Sequence, residues 1–411
     1  MGLFKRTKNN SKPIIRQIID LIPKHILASN VRIYQSDKGC FRYKTYDQLV
    51  ALTFGQLNKC QTLEDISTGI AVSSTFVSDL GLTQSPARST MSDGNKKRTY
   101  KVFEAMYYKL LAYYSSVLQK SHRSKIIEEI KGKVIKIIDS STVSLCLSLF
   151  DWAKFRTAKG GLKIHTCWDD ALMIPDLINI TPAKVHDSKG MSRRVFSSGT
   201  IIIEDKGYFD FDLMFERCVA ENTFVTRIKD NTVYQSIEEL NLPDDKDFHI
   251  LKDEIIRLTG NEAIKSGINK YLLRRVAVYN IENKKTIELI TNQLKWSAAT
   301  ISSLYKKRWD IELFFKALKQ NLQVKTFIGT SENAVKSQIF VALICYLLLE
   351  LLRRNTCKTS QAFSNFVEKI RICLTYYLTL DRVCNGISEG AKRIKVNNQS
   401  IFSLQPDLFS G

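Results

Sequence analysis

Residues 304–322 have the spacing of an amphipathic helix with one chemically active face. At about 100° per residue, four polar side chains fall within an arc of roughly 60°: Tyr305, Arg308, Glu312 and Lys319. A carboxylate for a metal ion, with cations and a hydroxyl for neighbouring phosphates, is what a metal-bound phosphodiester requires. The alternative is an exposed helix on which Glu312 pairs with Arg308 or Lys316 one turn away.

Two aspartates follow strand-like segments and could supply further carboxylates. Asp139 follows the β-branched residues 134–138, and Asp205 comes shortly after residues 201–203. If the two strands are neighbours in one sheet, both aspartates meet at one edge, and a helix packed beside them adds Glu312. Three carboxylates can hold two Mg²⁺ ions that activate an attacking oxygen and stabilise a leaving one. The alternative for each aspartate is a turn former that bonds to its own backbone.

Glu204 competes with Asp205 for the second position. Adjacent residues of a strand point to opposite faces of the sheet, so only one of the two can enter the site. The small Gly207 suits a chain that turns sharply just after Asp205, and we therefore favour Asp205.

The three segments together resemble the insertion-sequence-4 family of bacterial transposases. The family spacing Tyr-x2-Arg-x3-Glu-x6-Lys is complete in residues 305–319. The segments 139–142 (Asp-Ser-Ser-Thr) and 205–208 (Asp-Lys-Gly-Tyr) are similar to the family's other two motifs. Lys206 replaces the usual arginine, which retains the charge and loses a bidentate phosphate contact. Residues 152–156 and 159–166 resemble a subgroup of the family.

The resemblance implies a DDE transposase that cuts an element out and pastes it into target DNA. It implies hydrolytic nicking at the element's ends, followed by attack of the freed 3′-hydroxyl and strand transfer. The implied catalytic residues and ligands of two divalent ions, Mg²⁺ or Mn²⁺ as a substitute, are Asp139, Asp205 and Glu312. The implied DNA-positioning residues are Tyr305, Arg308, Lys319 and Lys206. The implied partners are double-stranded DNA, as terminal inverted repeats and target, and a second copy in a synaptic homodimer.

The order of the elements predicts an α/β fold with a mixed sheet. Together with the resemblance, it predicts a ribonuclease H-like core, a β-rich insertion and an N-terminal helical DNA-binding domain. The expected units are a basic helical region (1–130), the first part of the core (131–229), the β-rich insertion (230–296), the Glu-bearing helix and the next helix (297–355), and a C-terminal helical region with a tail (356–411).

The charge balance favours a nucleic-acid partner. The chain of 411 residues has 61 Lys and Arg against 41 Asp and Glu, a net charge of +20. Residues 1–135 hold about 22 basic and about 10 acidic side chains, so most of the excess lies in the first third. Such a surplus attracts polyanions, although a basic surface can also serve solubility alone.

The nine cysteines have no close pairing, which indicates reduced thiols rather than a zinc site or disulfides. The longest apolar run, residues 339–349, is too short for a bilayer and predicts a buried helix. The N-terminus has charges within six residues and no signal-peptide core. We therefore expect a cytoplasmic protein without a membrane segment.

Several further residues have both a functional and a structural interpretation. His165 could lie near the metals or be a structural strand histidine, and Tyr208 could stack on DNA or fill the core. The triplet His186, Asp187 and Ser188 could supply a metal ligand, but such a segment more often caps the following helix. The polar segment 89–98 could be a recognition helix or a solvated helix end. A basic loop could bind phosphates or could simply be solvated; it contains Lys154, Arg156, Lys159 and Lys163.

Two rival functions remain open at this point. A metal-dependent nuclease would cut DNA with the same carboxylates but would not join the product to a target. A DNA-binding protein derived from a transposase would have lost catalysis, and the presence of all three acids argues against it.

Overall fold

The computed structural model describes residues 12–121, 128–145, 152, 154–156, 159–191, 194–242, 249–281, 284–322, 324, 327–357 and 361–385. The helices are α1 (Ile14–Ile19), α2 (Lys24–Tyr34), α3 (Thr45–Asn58), α4 (Leu63–Ile70), α5 (Ser74–Asp79), α6 (Arg88–Lys97), α7 (Lys101–Ser121), α8 (Asp187–Met191), α9 (Phe211–Val219), α10 (Asn261–Ser266), α11 (Ala298–Lys306), α12 (Trp309–Lys316), α13 (Glu332–Thr356), α14 (Phe363–Ile372) and α15 (Leu380–Asn385). The strands are β1 (Ile135–Leu145), β2 (Lys154–Arg156), β3 (Lys159–Asp169), β4 (Ile174–Pro182), β5 (Ile201–Glu204), β6 (Thr223–Arg227), β7 (Tyr234–Glu239), β8 (His249–Leu258), β9 (Leu273–Asn280) and β10 (Lys285–Thr291).

One mixed sheet runs through the described residues. Its first half has the order β4-β3-β1-β5-β6, with β2 paired to the start of β3. Strands β1, β3 and β4 are antiparallel, whereas β5 and β6 are parallel to β1. Three antiparallel strands followed by two parallel ones, with the first strand in the middle, is the ribonuclease H-like arrangement. The predicted α/β class with a mixed sheet is confirmed.

The second half of the sheet is the antiparallel succession β10-β9-β8-β7. It joins the first half where β10 pairs with β6. Two buried ion pairs tie β8 to β9: Arg274 lies 2.6 Å from Asp253, and Arg275 lies 2.5 Å from Glu254. These four strands lie within residues 230–296, between the last core strand and the Glu312 segment, and they extend the core sheet.

Helix α13 is the central core helix. Among the described residues it is the one helix long and apolar enough to cross a membrane, and 94% of its most apolar window is buried inside the protein. The predicted buried helix is therefore confirmed. The N-terminal helices α3, α6 and α7 pack on α13, and one hydrophobic cluster extends from Ile14 to Cys384. The N-terminal helices and the sheet thus share a core.

The polar segment 89–98 forms most of α6, but its last cation is not available to DNA. Arg98 is 5% exposed and donates hydrogen bonds to Gln48 Oε1 at 2.7 Å and to the carbonyl oxygens of Tyr43 and Ser36. Burial of a charged group is tolerated when it is fully bonded in this way. Arg98 therefore fixes the α3–α6 contact.

Candidate active site

The sheet brings Asp139 and Asp205 to the same edge. Strands β1 and β5 are parallel, and their last paired residues are Ile138 and Glu204, so each aspartate comes directly after the pairing ends. The sequence-based expectation that the first strand ends at residue 138 is wrong, because β1 continues to Leu145. Its other edge stays paired with β3 over that whole length, which keeps the chain extended after β5 has turned away.

The segment that carries Glu312 is not the single straight helix that its spacing suggests. Tyr305 lies near the end of α11, Arg308 lies in the connection, and Glu312 lies in α12. A π-helical turn, Ala317–Asn321, then carries Lys319. Its Nζ donates to the carbonyl oxygen of Thr142 at 2.9 Å. A π turn shifts the phase of the helix face, so Lys319 lies against the extension of β1 rather than in line with the other three.

Arg308 lies between the three carboxylates. Its Nη2 is 2.6 Å from Glu312 Oε1, its Nη1 donates to Asp139 Oδ2 at 3.2 Å, and its Nε is 3.9 Å from Asp205 Oδ1. The guanidinium and Asp139 are nearly buried, at 16% and 14% exposure, whereas Asp205 and Glu312 are each 36% exposed. The three acids that the sequence singled out therefore converge on one cation at the rim of the sheet.

The charges at this point strongly affect Asp139. Burial raises the pKa of Asp139 to about 6; the Ser140 N–H and Arg308 oppose the rise, and Asp205 and Glu312 add to it. Burial alone would lower the pKa of Arg308, but its acidic neighbours keep that pKa above its usual value. The guanidinium therefore stays charged, while the pKa of Asp139 lies close to the neutral range.

We expect Asp139→Asn to stabilise the metal-free protein at neutral pH. The pKa of Asp139 rises from 3.8 to about 6 on folding. The stability that this protonation contributes is therefore complete below about pH 4 and is lost as the pH rises through about 6. The amide of the variant is neutral at every pH and therefore keeps this stability. At neutral pH the variant should exceed the wild type by roughly 1–3 kcal/mol in free energy of unfolding. Denaturant titrations of both proteins in EDTA, at pH 4 and pH 7, test this; an equal difference at both values would contradict it.

The donor chemistry fits a divalent cation. Carboxylate oxygens are the ligands that Mg²⁺ and Mn²⁺ prefer, and here three carboxylates surround one positive charge. Within the described part of the chain, no three acidic, histidine or cysteine side chains are arranged to coordinate an ion directly. Arg308 separates the carboxylates. Coordination therefore requires these oxygens to exchange the guanidinium for the ion.

The remaining residues of the predicted site flank the carboxylates. Tyr305 is 8% exposed, and its hydroxyl donates to Asp205 Oδ1 at a long 3.5 Å. Its ring also contacts the Arg308 guanidinium, with 5.7 Å between the centroid and Cζ. Lys206 lies in the turn after Asp205 and forms an ion pair of 2.8 Å with the exposed Asp230. Tyr305 thus supports the centre, and Lys206 lies at its rim.

Glu204 points away from this centre. Its side chain is buried and lies 2.6 Å from Arg217 Nη2, whereas Asp205 contacts Tyr305 and Arg308. The alternation of side chains along β5 thus separates the two neighbours as expected. Of the two, Asp205 is the one that lies with Asp139 and Glu312.

We expect Glu204→Gln to affect stability rather than catalysis. Breaking a buried ion pair leaves Arg217 without its counter-charge, which should cost about 3–5 kcal/mol in free energy of unfolding. The rate of DNA cleavage per folded molecule should remain within about twofold of wild type, because Glu204 does not contact the three acids. Denaturant titration and a cleavage assay on the folded fraction measure the two quantities. A loss of cleavage at full stability would reverse our choice between Glu204 and Asp205.

Two further candidates are structural. His165 Nε2 lies 3.0 Å from Thr181 Oγ1, and burial lowers the pKa of His165 to about 4, so the ring is neutral at neutral pH. Tyr208 is buried in a small cluster with Ile138 and Ile202 and therefore fills the core. The side chains of Lys154, Arg156 and Lys159 lie outside the described part of the structure.

Sequence reasoning understated Asp187. We expected a helix cap, and the residue does begin α8, but its carboxylate reaches Ser140 on β1 and Lys163 on β3. Both partners are distant along the chain. The only local signal is a polar triplet, 186–188, between a strand and a short helix.

Comparison with known proteins places the chain among transposases. Residues 130–348 match the family model described as "Transposase DDE domain", and residues 10–82 match a domain of unknown function, DUF4372. The first match covers more than half of the chain, including all three acids.

Individual relatives agree with the family match. The y4zB protein of Sinorhizobium fredii, named as a transposase, is 31% identical over 71% of this chain and 78% of its own length. The protein named as the transposase of element IS5377 from Geobacillus stearothermophilus is 29% identical over 61% of this chain and 64% of its own length. A solved piggyBac transposase synaptic complex with hairpin DNA has 11% identity and a TM-score of 0.41, and the match covers 90% of this chain and 82% of that one. The chain belongs to the DDE transposase family.

Proposed function

We propose that this protein is the transposase of a bacterial insertion sequence of the insertion-sequence-4 type, which cleaves the ends of its element and joins them to target DNA. The observation that carries the proposal is the convergence of Asp139, Asp205 and Glu312, from three separate elements, on the guanidinium of Arg308. Three acids gathered at one point repel one another unless a cation is held among them. A protein without a cation site therefore gains nothing from gathering them.

DDE transposase domains depend on divalent metal ions. We propose that Asp139, Asp205 and Glu312 are the ligands here, for two Mg²⁺ ions or Mn²⁺ in their place. When bound there, such ions would activate the attacking oxygen and stabilise the leaving oxygen of the scissile phosphodiester. The side chains of Asp205 and Glu312 are each 36% exposed, so both carboxylates are accessible from solvent.

The neighbouring side chains would position the DNA. Arg308 carries five donors in a planar fork, which suits a phosphate once the carboxylates release it. Lys206 pairs with an almost fully exposed Asp230, and a surface pair of this kind is weak enough for a phosphate to replace. Lys319 donates to the carbonyl oxygen of Thr142, on the part of β1 that continues beyond Asp139, and could contact a neighbouring phosphate from there. Tyr305 would act by holding the Asp205 carboxylate in place.

The proposed partners are double-stranded DNA, as the element's terminal inverted repeats and the target, and a second copy of the chain that pairs the two ends. The net charge of +20 supports binding to a polyanion and predicts an affinity that falls steeply with salt. Such a protein would act in the bacterial cytoplasm at the nucleoid.

The decisive experiment uses the DNA that flanks the reading frame. Inverted repeats bracketed by short direct repeats identify the substrate, and a labelled duplex that ends in one repeat is then incubated with the protein, Mg²⁺ and a supercoiled target plasmid. We expect cleavage at the repeat boundary and labelled plasmid from strand transfer. Cleavage without joining would indicate a nuclease, and specific binding without cleavage would indicate a DNA-binding protein that has lost catalysis.

A further inference from the structure

A second polar cluster lies beside Asp139, on the side away from Arg308. We call it the Asp187 bracket; it consists of Asp187, Ser140 and Lys163. Ser140 Oγ donates to Asp187 Oδ1 at 2.5 Å, and Lys163 Nζ lies 3.0 Å from the same oxygen. Ser140 belongs to β1 and Lys163 to the neighbouring β3. One carboxylate therefore ties two strands together at the level of the candidate site.

The bracket reaches Asp139 through Ser140. The backbone N–H of Ser140 donates to Asp139 Oδ1 at 2.7 Å, while its hydroxyl is held by Asp187. A carboxylate that accepts a bond from the next residue's N–H has its side-chain torsion set by the position of that residue. Asp187 therefore holds the side chain of the residue whose backbone N–H bonds to Asp139.

The bracket also touches the turn that follows Asp205. A Cβ atom on Gly207 would lie 3.3 Å from Asp187 Oδ2, so the turn passes close to this carboxylate. The turn Lys206–Tyr208 starts directly after Asp205. Asp187 is therefore in contact with the segments that carry both aspartates.

The helix that begins at Asp187 is closely packed on the sheet. This helix, α8, is held against the sheet at Gly190, where any Cβ would overlap the ring of His165. The carbonyl oxygen of Gly190 also accepts a hydrogen bond of 2.9 Å from Asn179 Nδ2. A side chain on so firmly packed an element can transmit a fixed geometry to its partners.

We propose that Asp187 is a positioning residue of the transposase centre: through Ser140 it orients Asp139, and through its contact at Gly207 it sets the turn that presents Asp205. This inference rests on the proposed function, in which the two aspartates hold divalent metal. Residues that hydrogen-bond to metal-ligating carboxylates typically change metal affinity or activity by about 10–100-fold when they are removed.

The test measures metal binding separately from catalysis, on the full-length chain. Mn²⁺ binding is followed by electron paramagnetic resonance without DNA, and the site's share is the part that Asp139→Asn removes. We expect Asp187→Ala to raise the half-saturating Mn²⁺ concentration about 10–100-fold and to slow single-turnover cleavage at limiting metal to a similar extent. Affinity for the element end in EDTA should stay within about twofold.

Two further variants separate positioning from direct ligation. Asp187→Asn keeps an oxygen that can accept the hydrogen bond from Ser140, so its Mn²⁺ affinity should stay within about threefold of wild type. If Asp187 were a direct metal ligand, Asn and Ala would lower the Mn²⁺ affinity equally. The double variant Ser140→Ala with Asp187→Ala should bind Mn²⁺ no more weakly than the more impaired single variant, because both substitutions remove the same hydrogen bond.

Asp176→Ala is the matched control, because Asp176 is a nearly buried acid on β4 of the same sheet that bonds to Lys136 and Arg194 and lies outside the bracket. It should lower the melting temperature without changing Mn²⁺ affinity. Unchanged Mn²⁺ binding in Asp187→Ala, with a wild type that binds metal and cleaves DNA, would overturn this inference alone. So would equal losses in Asp187→Ala and Asp176→Ala. A wild type that neither binds Mn²⁺ nor cleaves would overturn the proposed function as well.

Discussion

Asp139→Asn, Asp205→Asn and Glu312→Gln should each lower the rate of DNA-end cleavage by at least about a thousandfold. An amide keeps the shape of the side chain but removes the charge that a divalent ion requires. Because the three acids contact the same guanidinium, each contributes to one centre and none can substitute for another. Single-turnover cleavage of a labelled element end, with Mg²⁺ or Mn²⁺, measures the effect.

Binding of the element end should survive these three substitutions. Removing one negative charge from a chain with a net charge of +20 weakens no attraction to phosphate. Gel-shift titration in EDTA should therefore give affinities equal to or slightly higher than that of the wild type. Glu262→Gln, which changes an exposed acid on α10 away from the three carboxylates, is the matched control and should cleave normally. Cleavage near the wild-type rate in any of the three variants would remove that residue from the proposed centre.

Arg308→Ala should enlarge the stabilising effect of metal on the protein. Without the guanidinium, three carboxylates face one another uncompensated, and the metal-free protein should lose about 1–3 kcal/mol in free energy of unfolding at neutral pH, less than for a fully buried pair because Asp205 and Glu312 are partly exposed. Metal would no longer compete with Arg308 for the same oxygens. Millimolar Mg²⁺ should therefore raise the melting temperature of the variant more than that of the wild type.

The same substitution should reduce cleavage by about a hundredfold, because a cation that can hold a phosphate is lost. The variant would thus bind metal more tightly and cleave more slowly, a combination that simple misfolding does not produce. Arg308→Lys retains the charge without the planar fork. Its cleavage rate should lie between those of the wild type and Arg308→Ala. If Mg²⁺ shifted the melting temperatures of wild type and Arg308→Ala equally, the guanidinium and the ion would not share these oxygens.

Local patterns in the sequence, together with the resemblance to a transposase family, singled out the residues of the proposed centre. Tyr305, Arg308 and Glu312 stand three and four residues apart, which predicted one helical face; the three side chains do lie together, although the helix breaks between α11 and α12. Alternation along a strand separated Asp205 from Glu204, because that rule depends only on the backbone. The β-branched runs before Asp139 and Asp205 predicted two strands, and both are present.

Only the tertiary structure decided what these faces meet. Arg308 contacts Asp139 and Asp205, each more than a hundred residues away from it along the chain. This contact, the reach of Asp187 to Ser140 and the burial of Arg98 all depend on distant segments. The extension of β1 beyond Asp139 likewise follows from its pairing with β3. A sequence pattern describes one element's own faces, whereas the choice of partner is made by the packing of the whole chain. The sequence therefore determined which side chains could do chemistry, and the fold determined that three acids share one cation.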